Sequence, residues 1–133
     1  MTDVAARSPR AAKPGRSIVR LSGPLDLAAA KELRERLIDV LHRGANPLII
    51  DLSRVPSCDA AGLAVLIGTQ RRARLLGSVV LLAAPGVSVA EVLRSTGLHR
   101  HFTIYPDIPA ALAHASAPPA GRGGAVFPAL AAG

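Results

Sequence analysis

Apolar and polar positions change their period from block to block along the chain, and each change marks an element. Ser17-Ile18-Val19-Arg20-Leu21 alternates, is β-branched and is halted by Ser22-Gly23-Pro24, which predicts a strand running into a turn. Asp26 then stands where it can cap a helix. The apolar positions Ala30, Leu33, Leu37, Val40 and Leu41 recur at helical spacing, while Lys31, Glu32, Arg34, Glu35, Arg36 and Asp39 fill the other face, and Gly44 closes the helix. Pro47 introduces Leu48-Ile49-Ile50-Asp51-Leu52, apolar with almost no alternation, the pattern of a central strand covered on both faces.

After a loop from Ser53 to Cys58, Asp59 precedes a helix that starts at Ala60, turns basic at Arg71, Arg72 and Arg74 and stops at Gly77, with acid and base placed to suit the helix dipole. Val79 to Ala83 predicts a third strand, Val87 to Ser95 a third helix stopped by Gly97, Phe102 to Tyr105 a fourth strand, and Pro106-Asp107 the cap of a last helix through Ala115. Strands and helices alternate throughout. Right-handed crossovers make that an α/β fold, a mainly parallel four- to five-stranded sheet with about four helices in a single domain.

The domain expected from this pattern runs over residues 17–115, between a basic arm (1–16) and an Ala/Pro/Gly-rich tail (116–133) whose compositions favour disorder. The 133 residues carry a net charge of +7, and the arm and tail hold +3 and +1 of it, so the centre has only 11 bases against 8 acids. That balance argues against direct nucleic-acid binding. One cysteine, Cys58, excludes an internal disulfide and a multi-cysteine zinc site, and points to a reducing compartment. The first thirty residues hold no apolar signal region and nothing later has 18 uninterrupted apolar residues, so the expectation is a soluble cytoplasmic protein with no membrane insertion.

Several candidate chemistries lack their parts. Gly86-Val87-Ser88-Val89-Ala90 follows a strand but is missing the second glycine of a nucleophile elbow, leaving Ser88 as a helix-start residue. His99 and His101 bring no third metal ligand and have Arg100 between them. Asp51 ends a strand as a phosphoacceptor aspartate would, yet the acidic pair for Mg²⁺ and a suitably placed lysine are absent; Lys13 and Lys31 lie in the arm and the first helix. No phosphate-binding glycine loop occurs. The expectation is therefore a binding module with no catalytic residue, no cofactor and no metal.

The segment Asp51-Leu52-Ser53-Arg54-Val55-Pro56-Ser57-Cys58-Asp59-Ala60-Ala61-Gly62-Leu63 resembles the signature of STAS domains, specifically the bacterial anti-sigma factor antagonists: a strand ending in D-L-S, a short loop, then D-S-S-G-L opening a helix. Gly23-Pro24-Leu25-Asp26 sits where that family has G-x-L-D. Arg72-Ala73-Arg74 with Gly77, and Leu93-Ser95-Thr96-Gly97-Leu98 followed by Phe102, match later elements of the pattern, so the likeness covers about 95 residues. The resemblance implies a single-domain α/β switch protein that binds an anti-sigma factor, usually one of kinase fold, and so frees a sigma factor; a monomer or weak dimer is expected. Its partner-binding residues would be Ser57, Cys58, Asp59, Ala60, Ala61, Gly62, Leu63 and Ile67.

Two departures stand out. The family serine that receives phosphate falls on Ala60, and the next serine position is Ala61, so no phosphoacceptor hydroxyl is present at either. The extra strand that the family often carries ahead of Ser17 would fall on a proline-rich, basic stretch. On physical grounds Asp59 is a helix cap first. Gly62 permits either close approach of another backbone or tight packing of the helix on the sheet. Leu63 and Ile67 lie on a different helical stripe from Val65, Leu66 and Ala73, and the spacing leaves open which stripe faces out. Two rival readings remain: a STAS-like scaffold or accessory subunit of a signalling or membrane-associated complex, and an enzyme or small-ligand protein using His99, His101 or Cys58.

Overall fold

The computed structural model describes residues 15–116 of the chain. In chain order the elements are β1 (Ser17–Ser22), α1 (Leu27–His42), β2 (Leu48–Arg54), α2 (Ala60–Leu75), β3 (Val80–Ala83), α3 (Val87–Ser95), a 3-10 turn at Leu98–Arg100, β4 (Thr103–Tyr105) and α4 (Ile108–Ser116). The four strands form one parallel sheet in the order β1-β2-β3-β4. Each predicted strand and helix is present. β1 and β2 run slightly further than the apolar pattern indicated, whereas Val79 and Phe102 fall just outside β3 and β4. The expectations for the arm up to residue 14, including an extra strand, and for the tail from residue 117 lie outside the described residues.

Register explains how the core divides. One row across the sheet is Val19-Ile50-Leu82-Ile104, and all four side chains are fully buried under α1, α2 and α3. Full burial of a side chain of this size is worth about 1.5–3 kcal/mol, so this row fixes the register. The next row, Arg20-Asp51-Ala83-Tyr105, points to the opposite face. There Ile49, Leu81, Ala83 and Tyr105 form a smaller cluster with Ala111 of α4. Sequential parallel strands joined by right-handed crossovers place three helices on one face, and only the last helix is free to cover the other.

This topology also sorts the ends of the elements. Because every strand points the same way, the β1–α1, β2–α2 and β3–α3 connections gather at one edge of the domain, and the C-termini of α1, α2 and α3 gather at the other.

Candidate functional site

The first two connections are joined by their backbones. Leu25 pairs with Cys58 as a short parallel bridge: Leu25 N donates to Ser57 O (2.9 Å) and Asp59 N donates to Leu25 O (3.1 Å). Asp59 then caps α2, its Oδ1 accepting from Ala61 N (2.8 Å) and Gly62 N (3.1 Å). That satisfies two of the amide groups a helix start leaves unpaired. Asp26 does the same for α1, accepting from Ala29 N at 3.1 Å.

Gly62 is required by this arrangement. A Cβ placed on it would lie 2.3 Å from Leu25 O and 2.7 Å from Leu25 Cβ. The backbone that approaches Gly62 is thus the chain's own, at the β1–α1 turn. Cys58 is buried in the same joint, and burial, with the Asp59 charge adding to it, pushes its thiol up to about 11. At neutral pH it is a small apolar side chain rather than a nucleophile.

The expected partner-binding residues therefore separate into two groups. Ser57, Asp59 and Ala60 are exposed and Ala61 is half-buried, all at the edge where the connections gather. Cys58, Gly62 and Leu63 are buried and Ile67 is half-buried against the core, behind the exposed residues. The physical reason is that α2 packs on both α1 and the sheet and buries a wide face, so Leu63 and Ile67 turn inward together with Val65, Leu66 and Ala73. The outward stripe is Ala60, Ala64 and Gly68, followed by Arg71, Arg72 and Leu75.

Two exposed apolar side chains flank the loop and were not singled out from the sequence. Leu27, the first residue of α1, is 76% exposed, and Val87, the first residue of α3, is 84% exposed. A signal for both exists: Leu27 lies six residues before Leu33 and Val87 two before Val89, off the inward stripe of each helix. Between the β2–α2 loop and the start of α3 lies an open cleft of about 580 Å³ lined by Ser53, Arg54, Pro56 and Ser88 among others.

The remaining candidates sit apart from this edge or serve the fold. Asp51 is buried on the α4 face, accepting from Arg20 Nε (3.1 Å) and Ser53 N (2.9 Å). His99 approaches Leu93 O with Nδ1 at 3.4 Å. Among the described residues no three metal-ligating side chains come together.

The sequence of residues 8–111 matches the pattern of a known family, STAS domain. The chain belongs to the STAS domain family. Among its relatives is a protein of Thermotoga neapolitana described as an anti-sigma factor antagonist homologue, 32% identical over 74 residues, which are 56% of this chain and 66% of the relative, just under two thirds of its length. The solved structure of an anti-sigma factor antagonist from Mycobacterium paratuberculosis is similar, with a TM-score of 0.75 and 27% identity over 88% of this chain and 94% of that one. One described in the same way from Thermotoga maritima has a TM-score of 0.74 and 25% identity over 79% of this chain and 91% of that chain. A sulfate transporter family protein from Wolinella succinogenes has a TM-score of 0.69 and 26% identity over 77% of this chain and 86% of that chain. No helix among the described residues of this STAS domain is long and apolar enough to cross a membrane.

Proposed function

We propose that this STAS domain is an anti-sigma factor antagonist acting in the cytoplasm as a non-enzymatic binding module, a monomer or weak dimer. It sequesters a kinase-fold anti-sigma factor at the Ser57–Ala61 edge and so releases a sigma factor. The observation that carries the reading is the exposed start of α2: Asp59 is held as a cap, Ala60 stands free as the first helical residue, and the exposed Leu27 and Val87 lie on either side. Apolar side chains around a rigid polar element suit a protein partner. The names of the Thermotoga and Mycobacterium relatives support the choice of partner.

In this reading the usual phosphoserine switch is missing. Phosphate on the first helical residue adds about −1.5 to −2 charges beside Asp59, which would repel a surface fitted to a neutral side chain. Ala60 fixes the neutral form. Ser57 is the nearest hydroxyl along the chain, but it lies on the far side of Cys58 and Asp59 with its carbonyl engaged by Leu25 N, and misplacement of about 1 Å already costs large factors in rate. Incubation of the purified protein with partner kinase and ATP should leave it unphosphorylated by mass spectrometry; stoichiometric phosphate on Ser57 would show that the switch has moved.

The accessory-subunit reading is favoured by one specific observation, the likeness to the sulfate transporter family protein. Affinity capture from native cytoplasm separates the two: a kinase-fold regulator as the main partner supports the first reading, and a transporter or scaffold complex supports the second.

A further inference from the structure

The edge opposite Asp59 has a different chemistry. The C-termini of α1, α2 and α3 bring together Arg43, Arg71, Arg72, Arg74 and Arg94, with Arg100 on the turn that follows. Hydrogen bonds tie the loops of this edge to one another: Asn46 Nδ2 donates to Gly77 O (3.4 Å), Ser78 Oγ to Ala45 O (2.6 Å), Gln70 Nε2 to His101 O (2.5 Å) and Asn46 N to Gly15 O. The acids near these helix ends are Asp39, held by Arg43 at 3.0 Å, and the exposed Glu91, as far from the end of α3 as Arg71 is from the end of α2. Arg71, Arg72 and Arg74 form no ion pair among the described residues.

Within this basic edge three apolar side chains project into solvent: Leu75 at 81% exposure, Val79 at 51% and Leu76 at 47%. The core does not use them, since Leu66 and Ala73 take the inward positions of α2 and the buried run of β3 begins at Val80. They surround Gly77, whose positive φ of 77° reverses the chain, so the apolar residues sit on a turn between two elements rather than in a groove.

We propose that this edge is a peripheral docking surface for anionic lipid headgroups, with Leu75, Leu76 and Val79 entering the interfacial layer and Arg71, Arg72 and Arg74 pairing with lipid phosphates. Guanidinium forks match phosphate geometry, and apolar residues combined with basic ones give the two-part attraction of an interfacial anchor. A fluid bilayer interface closes around a projecting turn, whereas a protein would need a groove shaped to it. A nucleic acid would engage the arginines and leave the apolar residues exposed. Gly15 lies at this same edge, where its carbonyl accepts from Asn46 N. The 16 residues of α2 hold this edge about 24 Å from Asp59, so lipid docking leaves the other edge open. The inference is independent of the anti-sigma reading.

The test is flotation of the full chain with phosphatidylcholine vesicles, with and without phosphatidylglycerol. The protein should float with the anionic vesicles alone, and added salt should release it. Leu75→Asp and the pair Arg71→Gln with Arg74→Gln should each cut the bound fraction by about fivefold or more while the melting temperature stays within a few degrees of the wild-type value, the shift expected where the helix dipole loses favourable charge. Absence of flotation overturns the proposal, as does flotation that neither variant alters. Soluble polyanions, duplex DNA or polyglutamate, that bind the wild type and Leu75→Asp equally and displace the vesicles would also overturn it, by assigning the edge to polyanions in general.

Discussion

The two ends of helix α2 are built on opposite terms. At its start, the cap Asp59, the bridge between Leu25 and Cys58 and the close approach of Leu25 to Gly62 join two connections into one rigid unit. At its finish, Leu75 and Leu76 are exposed and the arginines reach into solvent without ion pairs among the described residues. Folding and the proposed partner contact therefore share residues at the first end, whereas at the second end surface chemistry can change without disturbing the core. A mutation that abolishes partner binding at the start of α2 carries no functional meaning until its cost to stability is known.

Gly62→Ala should break the comparison most forcefully. The new Cβ would meet Leu25 backbone at 2.3 Å, and backbone cannot yield as a flexible side-chain tip can. Overpacking of this kind costs about 1–3 kcal/mol, and here the upper part of that range or beyond is expected. Urea unfolding monitored by circular dichroism gives the value; a change under about 0.5 kcal/mol would mean that the joint is looser than described.

Asp59→Ala should cost about 0.5 to 2 kcal/mol through the lost cap and should also weaken partner binding. Asp59→Asn sharpens the point, because Asn caps a helix as well as Asp does but carries no charge. Stability regained in Asn with binding still weakened would separate contact from cap. Unchanged unfolding and unchanged binding in the Ala variant would remove Asp59 from the site. At the far end, Leu75→Asp should shift stability by no more than about 0.5 kcal/mol, as expected of an exposed position away from packing. A larger loss in thermal unfolding would show that this end, too, contributes to the fold.

Periodicity made the fold legible because parallel strands buried on both faces, such as Leu48 to Leu52, and helices with one apolar stripe, such as α1, each leave a distinct pattern. The helix start was legible as well, since Asp59 before an apolar run is a cap signal that local physics honours. What the sequence left open was orientation. The double apolar stripe of α2 has no unique outward side until α1 and the sheet are in place, and only then do Leu63 and Ile67 turn inward. The approach of Leu25 to Gly62 is a contact between connections 37 residues apart in the chain, and no local pattern encodes it. The exposed Leu27 and Val87 were hidden for a related reason: each opens a helix whose register is set by residues further along.

In the proposed function the exposed first turn of α2, with neutral Ala60 beside the Asp59 cap, is the surface that meets a kinase-fold partner. Titration of that partner with the wild type and with Ala60→Asp, each with and without ATP, tests this most directly. Ala60 is exposed, so the substitution should fold normally, and acid in the first turn suits the helix dipole. The charge should nonetheless lower affinity by about tenfold or more, while ATP leaves wild-type affinity unchanged. Wild-type affinity in Ala60→Asp, or an ATP-dependent loss of binding in the wild type, would contradict the account.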